Sequence, residues 1–132
     1  MSIKVKSKTY GPAFIRCDSA GELSFGHEEN NMTSPSPPMC SPAELLLYAT
    51  GACIAKSILI AAKPKKVTVQ PFTVMVSGES AADLPIRVGT VNIAVDGSFT
   101  EIPEQATSIL KAAKAICTVS NTLNAQMRLS LR

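Results

Sequence analysis

The sequence has few aromatic residues and no large excess of charge of either sign. It contains no tryptophan, two tyrosines and four phenylalanines in 132 residues, and 13 lysines and arginines stand against ten aspartates and glutamates. Surfaces that bind single-stranded nucleic acids stack bases on aromatic rings, and duplex-binding surfaces concentrate basic charge. A net charge of +3, spread along the chain, therefore argues against a nucleic-acid partner.

The chain also lacks the pattern of a zinc site. Its only histidine is His27, and its four cysteines form no Cys-x-x-Cys pair. The cysteines are Cys17, Cys40, Cys53 and Cys117. Because the first residues carry no apolar block of the kind found in signal peptides, we expect a cytoplasmic protein with reduced thiols. Thiol chemistry is then a better use of these cysteines than metal binding.

One long apolar segment, Leu45 to Ala62, is close to the length of a membrane span. Lys56 lies within it and would cost about 2.5–3.5 kcal/mol near the centre of a bilayer. We therefore expect a buried central helix and no membrane partner. With 45% hydrophobic residues, the length suits one domain over residues 1–132.

The pattern of apolar residues predicts an α+β fold of six strands and two or three helices. The predicted strands cover residues 3–9, 13–17, 22–25, 66–77, 86–95 and 127–131. The turn pair Gly11-Pro12 would make the first two strands a hairpin, and Pro71 would place the fourth at a sheet edge or a bulge. The stretch from His27 to Cys40 is rich in proline and polar residues, which is typical of a functional or mobile loop.

Ser41-Pro42-Ala43-Glu44 is a strong helix start, with serine as N-cap, proline in the first turn and glutamate to complete a capping box. This long helix should end near Ala62, before Lys63-Pro64-Lys65. A second helix is predicted from Pro103, with Cys117 on its core-facing side. A break or a short third helix follows near residues 120–121.

Cys53 lies in the middle of the long helix, with Thr50 and Ser57 on its face and Lys56 beside it. An ammonium group close to a thiol favours the nucleophilic thiolate, and hydroxyls can donate hydrogen bonds to it. The alternative is a small core residue with the lysine pointing elsewhere. Gly51 is costly inside a helix and predicts the close approach of another backbone or a ligand.

Two motifs carry a family likeness. Residues 41–53, Ser-Pro-Ala-Glu-Leu-Leu-Leu-Tyr-Ala-Thr-Gly-Ala-Cys, resemble the central-helix motif of the OsmC/Ohr family of osmotically induced and organic hydroperoxide resistance proteins. Residues 117–123, Cys-Thr-Val-Ser-Asn-Thr-Leu, are similar to that family's second cysteine motif, in which proline commonly follows the cysteine. The interval between the cysteines, 117 − 53 = 64 residues, also fits the family pattern.

The resemblance implies an intertwined α+β homodimer whose two cysteines meet in a pocket at the subunit interface. Cys53 would be the peroxidatic nucleophile, and Cys117 would condense with its sulfenic acid to form a disulfide. The implied partners are a second copy of the chain, an organic hydroperoxide and an external dithiol reductant, with no metal or organic cofactor. The implied activity is that of a thiol peroxidase in the oxidative stress response.

The chain departs from the hydroperoxide-resistance branch, which places a glutamate directly after the proline where this sequence has Ala43. Glu44 precedes Cys53 by nine residues, which puts it about half a turn away around the helix. The hydroperoxide-resistance branch also uses an N-terminal arginine to hold the thiolate and the glutamate. Arg16 is the only arginine before the helix, but no motif around it assigns it this role. The likeness is thus closer to a less characterised OsmC-like branch. A non-catalytic protein that binds a small molecule or senses redox state is the alternative function.

Overall fold

The computed structural model describes residues 6–132, and it shows a five-stranded sheet covered on one face by helices. The strands are β1 (Thr9–Cys17), β2 (Leu23–Gly26), β3 (Phe72–Ser80), β4 (Val88–Val95) and β5 (Gln126–Leu131). The helices are α1 (Pro42–Ala62), α2 (Pro103–Ile116) and α3 (Thr118–Thr122), with single 3₁₀ turns at Lys63–Lys65 and Gly97–Phe99. The strand order is β2-β1-β3-β4-β5, antiparallel except for the parallel pair β4 and β5. The predicted α+β class is confirmed.

The predicted opening hairpin is wrong. Residues 3–5 of its first strand lie outside the described part of the chain, and β1 runs without reversal from Thr9 through Gly11-Pro12. The pairing of β1 with β3 shifts register between Tyr10 and Ala13, so the two turn residues form a bulge in one strand. Gly11 has φ +84°, and a Cβ there would lie 2.9 Å from the Val76 carbonyl oxygen, which is why glycine suits this position.

The strand predicted at residues 66–77 begins only at Phe72. Lys66 has a left-handed φ of 56° after the 3₁₀ turn, and Pro71, which has no N–H to donate, immediately precedes the strand. The strand that follows lies between β1 and β4, at the centre of the sheet. The expectation that Pro71 marks an edge or a bulge inside this strand is therefore wrong, because the proline lies outside it.

The predicted start and end of α1 are confirmed. Ser41 Oγ accepts a hydrogen bond from Glu44 N at 3.2 Å and donates one to Glu44 Oε1 at 3.2 Å. These contacts satisfy one of the free N–H groups of the first turn and hold the glutamate side chain at the N-cap. The helix ends at Ala62, where the 3₁₀ turn containing Pro64 begins.

Gly51 brings α1 close to the sheet, as its position in a helix predicted. A Cβ at Gly51 would lie 2.3 Å from Ile15 Cδ1 and 2.9 Å from Val76 Cγ2. The partners are thus side chains of β1 and β3, and neither a backbone nor a ligand. Because this face is closely packed, α1 is fixed in position relative to the sheet.

The segment Pro42–Lys65, with a mean hydropathy of 1.8, is long and apolar enough to cross a membrane. In the fold, 56% of the most apolar 18-residue stretch of this segment is buried. The helix packs on the sheet and on α2. This arrangement is typical of the core helix of a globular domain. The largest fully buried side chains of the core, three of which belong to this helix, are Tyr48, Phe72, Phe99, Ile15, Leu47 and Ile54.

Candidate functional site

The fold brings Cys53 and Cys117 together. Cys53 lies on α1 and is half-buried, whereas Cys117 joins α2 to α3 and is fully buried. Burial is the largest cause that raises the pKa of the Cys117 thiol, and the neighbouring Cys53 raises it further through a side-chain hydrogen bond and through charge. The two thiols are free and adjacent, with one of them within reach of solvent.

Ser120 also contacts Cys117, which the sequence reasoning missed. Ser120 lowers the pKa of the Cys117 thiol, against the effect of burial. The Ser120 hydroxyl also donates to the Cys117 carbonyl oxygen at 3.3 Å. A serine three residues after a helix N-cap occupies the N3 position, so the spacing 117 to 120 was a usable signal.

The groups expected beside Cys53 have other partners. Lys56 Nζ donates to the Gly21 carbonyl oxygen at 2.6 Å, and Thr50 Oγ1 donates to the Leu46 carbonyl oxygen at 2.8 Å. The ammonium group of Lys56 is therefore directed at the β1–β2 turn and not at Cys53, whereas the role of Cys53 stays a prediction. The charge of Lys56 acts instead near Cys17, where it partly offsets the burial that raises the pKa of that thiol.

Glu44 and Arg16 are placed away from the two thiols within one chain. Glu44 is held at the N-cap of α1 by Ser41. Arg16 follows Ile15, whose side chain faces α1, so the arginine projects from the opposite face of the sheet. There its guanidinium donates to Thr73 Oγ1 at 3.1 Å.

The loop from His27 to Cys40 packs near the N-terminal half of α1. His27 Nδ1 lies 3.3 Å from the Tyr48 hydroxyl, which donates to the Gly26 carbonyl oxygen at 2.8 Å. Burial raises the pKa of Tyr48 to about 12, and the charges of Cys40 and Glu44 add to this. Tyr48 precedes Cys53 by more than one helical turn, so His27 is fixed against the phenol at that end of the helix.

An apolar groove of about 560 Å³ lies between the C-terminal ends of α1 and α2. It is lined by Ile60, Ala61, Pro64, Lys65, Ala112 and Ile116. Ile116 directly precedes Cys117, whereas Ile60 follows Cys53 by seven residues on α1, and neither cysteine lines the groove. Within residues 6–132, no group of three or more His, Cys, Asp or Glu side chains converges in a way that would hold a metal ion.

The family model described as OsmC-like protein matches residues 36–132, about three quarters of the chain, and includes both cysteines. The protein belongs to the OsmC-like family. No curated protein sequence matches this OsmC-like chain significantly.

Solved structures confirm the OsmC-like fold. An OsmC-like protein of unknown function from Vibrio cholerae has a TM-score of 0.60 and 14% identity, with 100% of each chain covered. An OsmC-like protein from Mycoplasma pneumoniae has a TM-score of 0.61 and 12% identity, covering 100% of this chain and 98% of that one. The organic hydroperoxide resistance protein OhrB of Bacillus subtilis has a TM-score of 0.53 and 17% identity, with 97% and 98% covered.

Proposed function

We propose that this OsmC-like protein is a cytoplasmic thiol peroxidase that reduces organic hydroperoxides as part of the oxidative stress response. The observation that carries the proposal is the pairing of a half-buried thiol, Cys53, with a fully buried one, Cys117, on two different helices. A peroxidatic thiol must meet its substrate, and a resolving thiol must meet only its partner, so this difference in exposure matches the two roles.

The proposed oxidation proceeds in two steps. The Cys53 thiolate attacks the peroxide oxygen that bears the proton, the O–O bond breaks, and the organic part leaves as an alcohol after taking up a proton. The resulting Cys53 sulfenic acid condenses with the Cys117 thiol, which forms the disulfide and releases water. A dithiol reductant then restores both thiols and is itself oxidised to a disulfide.

The preference for organic peroxides is supported by the apolar groove, whose lining residue Ile116 directly precedes Cys117. Ile60 and Ile116 are 57% and 47% exposed there, and such surface attracts an alkyl or aryl group more than it attracts water or hydrogen peroxide. The name of the Bacillus subtilis neighbour, an organic hydroperoxide resistance protein, agrees with this substrate class.

We propose further that the working unit is a homodimer. The outer face of α1 exposes Leu45, Ala49 and Ile60, with Lys56 as its one charged member along that strip. A helix that is apolar on both faces is normally covered on both. A second copy of the chain would cover this face and enclose the groove next to Cys117.

The deciding experiment is mass spectrometry of the reduced protein after one equivalent of cumene hydroperoxide or of hydrogen peroxide. We expect a Cys53–Cys117 disulfide that forms faster with the organic peroxide. Cys53→Ser should abolish peroxide consumption, and Cys117→Ser should let Cys53 proceed to sulfinic acid. Cys40→Ser is the matched control because Cys40 is the other half-buried thiol. Equal oxidation of Cys40 and Cys53, or full turnover by Cys53→Ser, would refute the proposal.

A second candidate is a redox sensor or small-molecule binding protein that does not turn over. It is favoured by the positions of Lys56, which is bonded to Gly21, and of Glu44, which caps α1. Stoichiometric oxidation of Cys53 that a dithiol reverses without sustained peroxide consumption would identify the sensor. Slow and unselective alkylation of both thiols would favour the binding protein.

A further inference from the structure

Asn121 links the two helices that meet at Cys117, and the two-cysteine reaction gives it no role. Its Nδ2 donates to the Ala115 carbonyl oxygen at 3.0 Å, and its Oδ1 accepts from Lys114 Nζ at 2.8 Å. An ammonium group can only donate and a carbonyl oxygen can only accept, so both partners require the same orientation of the carboxamide. Asn121 on α3 therefore binds two consecutive residues in the last turn of α2, a contact that we call the α2–α3 clasp.

The backbone of Cys117 is held inside this clasp. Its N–H donates to the Lys114 carbonyl oxygen at 3.3 Å, and its carbonyl oxygen accepts from the Asn121 N–H at 3.0 Å. Cys117 is at once the C-cap of α2 and the N-cap of α3, with φ −76° and ψ 98°. Lys114 and Asn121 thus bond the backbone of Cys117 from both sides and bond each other across it, which fixes the direction in which its side chain leaves the turn.

The clasp matters because α3 has few bonds of its own to hold it in place. The helix has five residues, with Ser120 as its buried residue, and within residues 6–132 its N-cap side chain makes no capping hydrogen bond. A helix of this length is not stable through its own hydrogen bonds. Its direction relative to α2, and with it the position of the Cys117 thiol, therefore depends on contacts such as the two hydrogen bonds of the clasp.

Disulfide formation is the step that depends on this position. Cys117 belongs to the hydrophobic core, Cys53 packs against that core, and α1 contacts both α2 and α3. The Cys117 thiolate attacks the sulfur of the Cys53 sulfenic acid, so that the S–S bond forms and the S–O bond breaks. The leaving hydroxide takes up the proton that Cys117 released and becomes water. A misplacement of reacting groups by about 1 Å slows such a step by about a hundredfold.

We propose that Asn121 is a positioning residue of this step, which holds the Cys117 thiol in line with the Cys53 sulfur through the α2–α3 clasp. The inference rests on the proposed peroxidase function. The bonds of the Asn121 carboxamide go to α2 and not to the thiols, so the attack of Cys53 on the peroxide does not depend on it. The second step, in which Cys117 reacts, does.

The test uses the full chain and separates the two steps without peroxide. Bis(2-hydroxyethyl) disulfide converts Cys53 to a mixed disulfide and releases one mercaptoethanol, and Cys117 then displaces the second mercaptoethanol to form the protein disulfide. Acid quenching and peptide mass spectrometry follow both steps. Asn121→Ala should slow the second step by about three- to tenfold. It should leave the first step at the parent rate.

A second readout uses the hydroperoxide itself. With an excess of cumene hydroperoxide, Asn121→Ala should accumulate more Cys53 sulfinic acid than the parent, because slower attack by Cys117 leaves the sulfenic acid open to further oxidation. Alanine has a higher helix propensity than asparagine and position 121 is exposed, so we expect this variant to fold as the parent does.

Asn124→Ala is the matched control, because it removes the same carboxamide from an exposed position two residues beyond α3. It should leave both steps at the parent rates. Lys114→Met keeps the aliphatic part of the lysine and removes its ammonium group, so it should slow the second step by less than Asn121→Ala does. Because both changes act on the same contact, the double variant Lys114→Met/Asn121→Ala should be no slower than Asn121→Ala alone.

Two results with Asn121→Ala would overturn the role of Asn121: attack by Cys117 at the parent rate, or an equal slowing of both steps, which indicates a general structural effect. A parent protein that forms no Cys53–Cys117 disulfide with the reagent would overturn it as well, because the two thiols would then not meet. Failure of the peroxidase proposal alone looks different: the reagent would form the disulfide and cumene hydroperoxide would not, while the effect of Asn121→Ala on the attack by Cys117 could still be measured.

Discussion

At the scale of single residues, hydrogen-bond partners determine what each polar group near the thiols does. Lys56 looked like an activator of Cys53 from its spacing, but a carbonyl on the β1–β2 turn holds its ammonium group. Ser120 went unnoticed because it lies in a five-residue helix, and a helix that short gives little periodic signal in the sequence. Its partner is the carbonyl oxygen of Cys117, the N-cap of that helix. Sequence spacing thus indicated which residues are neighbours along the helix, but it did not indicate which groups they hydrogen-bond.

The Tyr48 phenol gives a prediction about alkaline stability. Its pKa is about 12 in the folded protein against 10 for a free phenol, so the folded state holds the proton more tightly. The resulting stabilisation is fully present below pH 10 and is lost as the pH rises toward 12. Tyr48→Phe should reduce this loss of the free energy of unfolding, as measured by urea unfolding at several pH values between 9 and 12. At pH 7 it should cost about 1–2 kcal/mol, because the Gly26 carbonyl loses its donor.

Tyr10→Phe is the control for this titration, since Tyr10 is the other tyrosine of the chain and is half-buried at the bulge of β1. It should leave the pH dependence as in the parent. A Tyr48→Phe protein whose stability falls with the parent's slope above pH 10 would show that the phenol is not the group that loses its proton.

At the scale of elements, the contact between α1 and the sheet depends on Gly51. Alanine there would gain about 1 kcal/mol of helix propensity. Its Cβ would however meet Ile15 Cδ1 at 2.3 Å, and overpacking of a core costs about 1–3 kcal/mol. Gly51→Ala should therefore be destabilising in urea unfolding. Ile15→Val removes that Cδ1 and should make the double variant more stable than the sum of the two single effects.

Strict additivity of the two substitutions would mean that α1 moves away from the sheet at little cost. The comparison matters for function because Cys53 follows Gly51 by two residues, and its position relative to Cys117 depends on this packing. Displacement of the helix should accordingly slow disulfide formation in Gly51→Ala, and Ile15→Val should restore it.

The elements that the sequence predicted well have strong local signals. The capping box and Pro64 bound α1, and the periodic apolar residues define α2. The hairpin failed because Gly11-Pro12 is equally suited to a turn and to a bulge, and only the pairing with β3 distinguishes them. The parallel pairing of β5 with β4 and the left-handed Lys66 are likewise set by contacts distant in sequence.

At the scale of the whole molecule, the outer face of α1 links the fold to the proposed site. The same helix buries its inner face against the sheet and leaves Leu45 and Ile60 more than half exposed on the other side. Ile60 belongs both to this outer face and to the lining of the apolar groove. A dimer formed through it would remove apolar surface from water and would give the groove a second wall, so that assembly and substrate preference would depend on the same residues.

This link leads to a prediction about mass and activity together. Ile60→Glu places a carboxylate in the proposed contact, where burial of an unpaired charge is strongly unfavourable. We expect the parent protein to have a dimer mass by light scattering at micromolar concentration and the variant to have a monomer mass. The variant should also lose much of its preference for cumene hydroperoxide over hydrogen peroxide, because Ile60 lines the groove.

Ile86→Glu is the matched control, since Ile86 is 75% exposed in the loop between β3 and β4, outside the outer face of α1. It should remain a dimer with the parent's peroxide preference, because its carboxylate stays in water in either state. A monomeric parent, or an Ile60→Glu protein that stays dimeric, would show that α1 is not the interface. A monomeric variant that keeps its preference for the organic peroxide would instead mean that the groove of one subunit suffices to select the substrate.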